Sequence, residues 1–267
     1  MTLILGLPAA YLAILLVLWT LQERITFPAP RAALPDPQRV VGGGERIELV
    51  MRDGTRLVGW YLPPREAGRG PAPGLLWFYG NGETIGAIWP VIRDFRPSNA
   101  ALVVVDYPGY GASGGRATEA GIYEAGALAY QALASRPGVD PKRIYVYGRS
   151  LGSAVATRTA ADYPAAGLIL ESPFTSARDM AARTYRIFPL FLVRLQLDNV
   201  ATIRRVHCPV LVFHGTADRL VPMEMGRRVA EAAPGLKEFV MIEGAGHNET
   251  YDVGWQGYRD KLAQFVR

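Results

Sequence analysis

The chain has 267 residues, 49% of them hydrophobic, with a single cysteine, three histidines and a formal charge of +5. That length gives one α/β domain a full core; one cysteine excludes an internal disulfide framework, and no Cys/His cluster has metal-ligand spacing. The basic residues are scattered and almost all arginine (only Lys142, Lys237 and Lys261 are lysine), without a basic run interleaved with aromatics, so the charge describes a solvated surface and not a nucleic-acid face.

The first element is an apolar run from Leu3 to Leu21, interrupted in polarity only by Thr20. At about 1.5 Å per residue it spans close to a bilayer core. The segment ahead of it holds no Lys or Arg, and Gln22-Glu23-Arg24-Ile25 make a poor cleavage site, so an uncleaved anchor over 1–24 is favoured over a signal peptide. Arg24 and Arg31 only weakly orient it, and the side of the membrane stays open. Residues 25–45 read as a linker, stiff and Pro-rich from Phe27 to Pro37, then flexible at Gly42-Gly43-Gly44. Cys208, before Pro209 and an apolar run, reads as a buried small residue.

From residue 46 to 267, short apolar runs alternate with helical stretches, which predicts a mostly parallel sheet covered on both faces. Runs 46–51 and 57–62 flank Arg52-Asp53-Gly54-Thr55 and predict an antiparallel edge hairpin. Buried strands are predicted at 74–79, 101–105, 144–147, 168–170, 210–213 and 238–242. Helices are predicted at 118–134, 151–163, 224–233 and 255–266. The stretch 173–206 is too long for a simple crossover and carries Phe174, Tyr185, Ile187, Phe188, Leu190, Phe191, Leu192 and Leu195. It is read as a small helical cap, the alternative being a crossover helix with a long loop.

Gly148-Arg149-Ser150-Leu151-Gly152 lies between the strand ending at Tyr147 and the helix beginning at Leu151, the context in which G-x-S-x-G forms a nucleophile elbow. The two glycines answer to the sharpness of the turn, and the first helical N–H groups come beside Ser150, where an oxyanion can be held. A serine hydroxyl needs a base, and the base an acid to orient it. Of the histidines, His207 and His214 border the run 210–213 and read as structural, whereas His247 sits in the small-residue loop Gly244-Ala245-Gly246-His247-Asn248. His247 is therefore the expected base. Asp218, in His214-Gly215-Thr216-Ala217-Asp218, is the expected acid; it follows a strand and completes the order Ser150, Asp218, His247. Glu171 is held in reserve, and Asp106 is read as organising the turn Tyr107-Pro108-Gly109-Tyr110-Gly111. The oxyanion amides are assigned to Leu151 and to Asn81 of Tyr79-Gly80-Asn81-Gly82, with Gly82 as an alternative.

These pieces, with Asp106 through Gly114, Glu171-Ser172-Pro173-Phe174 and Gly246-His247, occur in order over residues 46–267. Together they resemble the α/β-hydrolase superfamily, in particular its membrane-anchored, depalmitoylase- and lysophospholipase-like serine hydrolases. Tyr79 stands where such proteins usually carry His, and Pro108 where Arg is common. The resemblance implies an α/β-hydrolase fold and a serine hydrolase cleaving carboxylic esters or thioesters, without cofactor or metal. Anchor and cap suggest acyl or lipid esters as substrates. Two other readings stand beside it. A serine peptidase of the same fold usually brings a gating domain, for which the residues before Arg46 leave no room. A membrane-tethered binding protein would have no need of a complete triad. Oligomeric state is left open.

Overall fold

The structure is a computed structural model describing residues 2–41, 43–66, 68–185 and 188–267. Ile187 of the predicted cap and Gly42 of the predicted linker lie outside these residues. The chain opens with α1 (Thr2–Thr26), α2 (Pro37–Val41), β1 (Glu45–Val50), β2 (Arg56–Leu62), β3 (Ala72–Phe78), α3 (Ile85–Phe95), β4 (Ala101–Val105) and α4 (Glu119–Ala134). It continues with β5 (Val139–Arg149), α5 (Leu151–Asp162), β6 (Gly167–Glu171), α6 (Ala177–Thr184), a 3₁₀ turn (Leu190–Leu192) and α7 (Asn199–Ile203). The last elements are β7 (Val210–Gly215), α8 (Met223–Ala232), β8 (Leu236–Ile242) and α9 (Thr250–Phe265).

Eight strands form one sheet in the order β1-β2-β4-β3-β5-β6-β7-β8. The β1–β2 and β2–β4 pairs are antiparallel, and the remaining pairs are parallel. Every residue of β4 and β6 is buried, as expected of parallel strands covered on both faces. Trp77 of β3 stacks on Tyr147 of β5 with ring centroids 4.0 Å apart, filling the centre of the core. The parallel order gathers the C-terminal ends of β3, β5, β6 and β7 along one edge, and the loops leaving that edge carry Asn81, Ser150, Ser172 and Asp218.

One helix, α3, forms where the sequence pattern offers no clear element. Pro90 sits inside it and removes one backbone hydrogen bond. Ile85, Ile88, Trp89, Ile92 and Phe95 nevertheless share a buried face, and the Thr84 side chain caps the first turn. Cys208 is only half buried; burial raises its thiol to about 11, so it stays protonated at neutral pH.

The helix α1 continues through Thr26, past the polar residues Gln22, Glu23 and Arg24. Its window Ala9–Thr26 has a mean hydropathy of 1.2 and is long and apolar enough to cross a membrane; 6% of it is buried. The Pro-rich stretch after it is packed down on the domain. Phe27 is buried, the Gly111 amide donates to the Pro30 carbonyl at 2.7 Å, and the Trp60 indole donates to the Pro35 carbonyl at 3.1 Å. The segment 173–206 carries α6, the 3₁₀ turn and α7, and its base is pinned to the helices beneath. Buried Asn199 donates to Ser153 Oγ at 3.0 Å, and the Gln196 and Leu197 amides donate to the Glu119 carboxylate at 2.8 and 2.7 Å.

Candidate active site

Ser150 occupies the turn between β5 and α5 with φ 50° and ψ −115°, a conformation that L residues rarely adopt. Such strain costs about 1–3 kcal/mol and persists only where the surroundings enforce it. Both flanking glycines are required by close approach. A Cβ at 148 would fall 2.2 Å from the Gly152 carbonyl oxygen, and one at 152 would fall 2.1 Å from the Phe78 carbonyl oxygen. The amide of Ser150 donates to the Glu171 carbonyl at 2.9 Å, which ties the turn to the adjacent strand.

His247 reaches Ser150 from the loop between β8 and α9. Its Nε2 lies 3.1 Å from Ser150 Oγ, and its Nδ1 lies 2.7 Å from Asp218 Oδ2. A carboxylate only accepts, so Nδ1–H donates to Asp218 and Nε2 is left to accept from the serine hydroxyl. The other oxygen of Asp218 accepts from the backbone N–H groups of Leu220 at 3.0 Å and Val221 at 2.8 Å. Burial pushes the Asp218 carboxyl upward, but the hydrogen bonds from His247 and Val221 outweigh it and hold the group below the usual carboxylate range. In this state the imidazole is oriented by an ionised acid and faces a hydroxyl whose proton it can take.

The other two histidines do not reach Ser150, although His214 Nε2 lies 3.6 Å from Asp218 Oδ2. His207 is exposed ahead of β7. His214 is fully buried in β7 and donates from Nε2 to the Val221 carbonyl at 2.8 Å, while its Nδ1 has no hydrogen-bond partner among the described residues. Burial lowers its basicity, so it is held neutral.

Glu171 is turned away from His247 towards a set of fixed donors. Its carboxylate accepts from the hydroxyls of Tyr147, Thr250 and Tyr258 and from Arg149 Nε at 3.3 Å. Asp106 accepts from the Tyr79 hydroxyl at 2.9 Å and from the amides of Ile85 and Ala112, organising the turns that follow β3 and β4. Tyr79 thus supports its loop through this phenol, and the Tyr107 hydroxyl donates back to the Tyr79 carbonyl at 3.0 Å.

Leu151 is the first residue of α5, and its amide lies at the positive end of that helix, directly after Ser150. Asn81 lies on the loop after β3, with Gly82 beside it at φ +78°. The Asn81 side chain is engaged elsewhere, accepting from the Tyr110 hydroxyl and donating to the Thr26 carbonyl, each at 2.6 Å. The backbone is what Asn81 can offer to a ligand.

Arg149, the variable position of the G-x-S-x-G pattern, is the residue that sequence reasoning missed. Its guanidinium donates to Glu83 at 2.8 Å, to the His247 carbonyl at 2.9 Å and to Asn248 Oδ1 at 2.7 Å, besides Glu171. Glu83 in turn accepts from the Gly80 amide at 2.6 Å. One buried side chain therefore ties together the Asn81 loop, the His247 loop and the end of β6. Its burial disfavours the charge, but Glu171 and the surrounding acidic groups more than compensate, so the arginine stays ionised.

Ser150, Leu151 and Asn81 open onto a cavity of about 280 Å³. Its walls are mostly apolar: Phe174, Met180, Tyr185, Phe188, Leu195 and Leu197 from the segment over the site, Leu220 and Val221 after β7, and Leu18 and Ile25 from α1. Of the aromatic and aliphatic cap residues singled out in the sequence, Phe174, Tyr185, Phe188 and Leu195 face it. Among the described residues, no group of three or more His, Cys, Asp or Glu side chains could hold a metal ion.

A family model described as serine aminopeptidase, S33, matches residues 71–202. An uncharacterized protein of Mycobacterium tuberculosis, Rv2307c, is 35% identical over 256 residues, covering 95% of this chain and 90% of that protein. Human alpha/beta hydrolase domain-containing protein 17B is 36% identical over 172 residues, which is 63% of this chain and 57% of the human protein. Among solved structures, the Pyrococcus furiosus esterase Pf2001 superposes with a TM-score of 0.72 over 89% of this chain and 97% of that one, at 20% identity. The mostly parallel sheet, the strained turn after its central strand and these likenesses lead to one assignment: the chain belongs to the α/β-hydrolase superfamily.

Proposed function

We propose that the protein is a serine hydrolase of carboxylic esters or thioesters with an acyl or lipid-type substrate. The hydrogen-bonded chain Ser150–His247–Asp218, ending at an apolar cavity, is the observation that carries this reading. Ser150 Oγ attacks the carbonyl carbon while His247 Nε2 takes the hydroxyl proton, and Asp218 stabilises the resulting imidazolium. The amides of Leu151 and Asn81 hold the oxyanion. As the tetrahedral intermediate collapses, the C–O or C–S bond breaks and the leaving group takes the proton from His247. Water, deprotonated by the same imidazole, then attacks the acyl-enzyme and releases the carboxylic acid with Ser150 restored. We read α1 as the membrane anchor, on its length and hydropathy.

The family model's description favours a second reading, an aminopeptidase. Such an enzyme must hold a free ammonium group, and a buried cation needs a carboxylate partner. Among the described residues lining the cavity none is Asp or Glu, which weighs for the ester. Comparing p-nitrophenyl esters with aminoacyl p-nitroanilides in detergent separates the two, and a folded protein that turns over neither favours the binding-protein reading. A fluorophosphonate probe is expected to label the wild-type chain and not Ser150→Ala; labelling of the variant at wild-type level would remove Ser150 as the nucleophile.

A further inference from the structure

The last two turns of α1 belong to the site as well as to the anchor. Leu18, Gln22, Ile25 and Thr26, spaced along one helical face, line the same cavity as Ser150. Around them the helix is bare: Leu12, Ile14, Leu16, Val17, Trp19 and Leu21 are all exposed. Gln22 is the buried polar side chain on the inner face, and both ends of its amide are used. Its Nε2 donates to the Leu192 carbonyl at 2.7 Å, and its Oε1 accepts from the Arg194 amide at 2.8 Å. A polar side chain on an apolar helix that is paired in this way fastens the helix to the 3₁₀ turn over the site. Arg194 completes the join, donating to the Trp19 carbonyl at 3.1 Å and lying 4.8 Å over the Trp19 ring. At the helix end, Thr26 accepts the Asn81 side chain, so α1 also braces the loop assigned to the oxyanion.

Leu192 and Arg194 therefore sit beside Trp19 and Gln22, within the apolar window Ala9–Thr26. The neighbouring Phe191 is 80% exposed, an aromatic with no protein cover at the level where Trp and Arg side chains settle at a membrane interface. The cavity wall formed by Leu18, Gln22 and Ile25 thus lies along the same apolar window.

Resting on the ester-hydrolase reading above, we infer that α1 forms one wall of the acyl pocket and that a long acyl chain enters the site sideways from the bilayer, along the face of α1 that carries Leu18 and Ile25. The chain never crosses water, and the carbonyl reaches Ser150 while the tail remains against Leu18 and Ile25. A membrane-dissolved long-chain ester is the class of substrate such a mouth admits.

The test uses the full chain reconstituted in phosphatidylcholine vesicles. p-Nitrophenyl palmitate is supplied either in the enzyme's own vesicles or in separate ones, and p-nitrophenyl acetate is supplied in water. Palmitate is expected to be hydrolysed at least tenfold faster when it shares the bilayer. Ile25→Trp and Leu18→Trp, which fill the wall, are expected to lower the palmitate-to-acetate ratio of kcat/KM at least tenfold. Leu18→Ala, which only removes atoms, is expected to move the preference towards bulkier chains. Equal rates from shared and separate vesicles, or a ratio that none of the three variants moves, overturns the inference and leaves the esterase standing. A folded protein that hydrolyses neither ester and takes no fluorophosphonate overturns both.

Discussion

Glu171 and Asp218 make an instructive pair. Each is a buried carboxylate at or just beyond the C-terminal end of a parallel strand, β6 for one and β7 for the other, and the strands are neighbours in the sheet. Their partners separate them. Glu171 is held by Arg149, Thr250, Tyr147 and Tyr258, whose hydroxyls and guanidinium do not titrate near neutral pH. The three phenols around this cluster, Tyr147, Tyr251 and Tyr258, are held protonated well above their ordinary range, first by burial and then by the Glu171 charge. Asp218 instead faces an imidazole that can gain and lose a proton. Burial and place at the sheet edge are alike for both; under the proposed function, the proton chemistry of the partner is what assigns Asp218 to the reaction and Glu171 to the scaffold.

Exchanging the two roles is the strongest way to break this contrast. Asp218→Asn presents an amide to Nδ1 and favours the wrong imidazole tautomer, so kcat for ester hydrolysis is expected to fall about 10²–10⁴-fold, with only a modest fall in melting temperature. Steady-state kinetics beside a thermal melt measure both; a fall of that size from Glu171→Gln, with none from Asp218→Asn, would reverse the assignment. Arg149→Met leaves Glu171 without its cation and frees the His247 and Asn81 loops. Denaturant unfolding is expected to show a loss of about 3–5 kcal/mol, partly recovered in the double variant with Glu171→Gln. A loss below about 1 kcal/mol would mean that the tyrosines alone hold the cluster.

The smallest effect lies in pH. His214 has a lowered native pKa, so as pH falls below the ordinary histidine value of about 6.5 the unfolded chain takes up a proton that the folded chain refuses, and stability declines. Asp218 has a native pKa below its unfolded value of about 3.9; its contribution is complete above that value and is lost as pH falls through the native one. Unfolding midpoints followed from pH 8 to pH 3 are thus expected to fall in two stages. His214→Gln, which retains a donor for the Val221 carbonyl, should flatten the upper stage and leave the lower. An unchanged upper stage would place that titration elsewhere.

What could be read from the sequence was what is local. Alternating and continuous apolar runs mark the strands because sheet burial repeats every two residues, and Gly148 marks a steric need set by Gly152 within the same motif, although Gly152 itself answers to Phe78 on the neighbouring strand. His247 and Asp218 were reachable because glycine-rich loops after parallel strands collect polar groups at one edge. Arg149 was not. It occupies a position of the motif where any residue fits the turn, and its meaning comes from Glu83, Glu171 and the His247 loop, which are distant in the chain. The helix α3 was obscured by Pro90, whose lost hydrogen bond is outweighed by five buried apolar side chains. The docking of Gln22 against Leu192 and Arg194 spans some 170 positions and leaves no local pattern. A polar residue closing an apolar run reads equally well as the end of a membrane span.

The backbone at Ser150 sets two demands against each other. A φ of 50° is comfortable for glycine and costly for serine, yet only serine carries the hydroxyl. Any selection for thermal endurance alone would drift towards glycine at this position, gaining firmness as it lost chemistry. Under the proposed hydrolase function, the turn is a place where durability and reactivity are exchanged directly, and the serine that remains there marks which of the two this chain has kept.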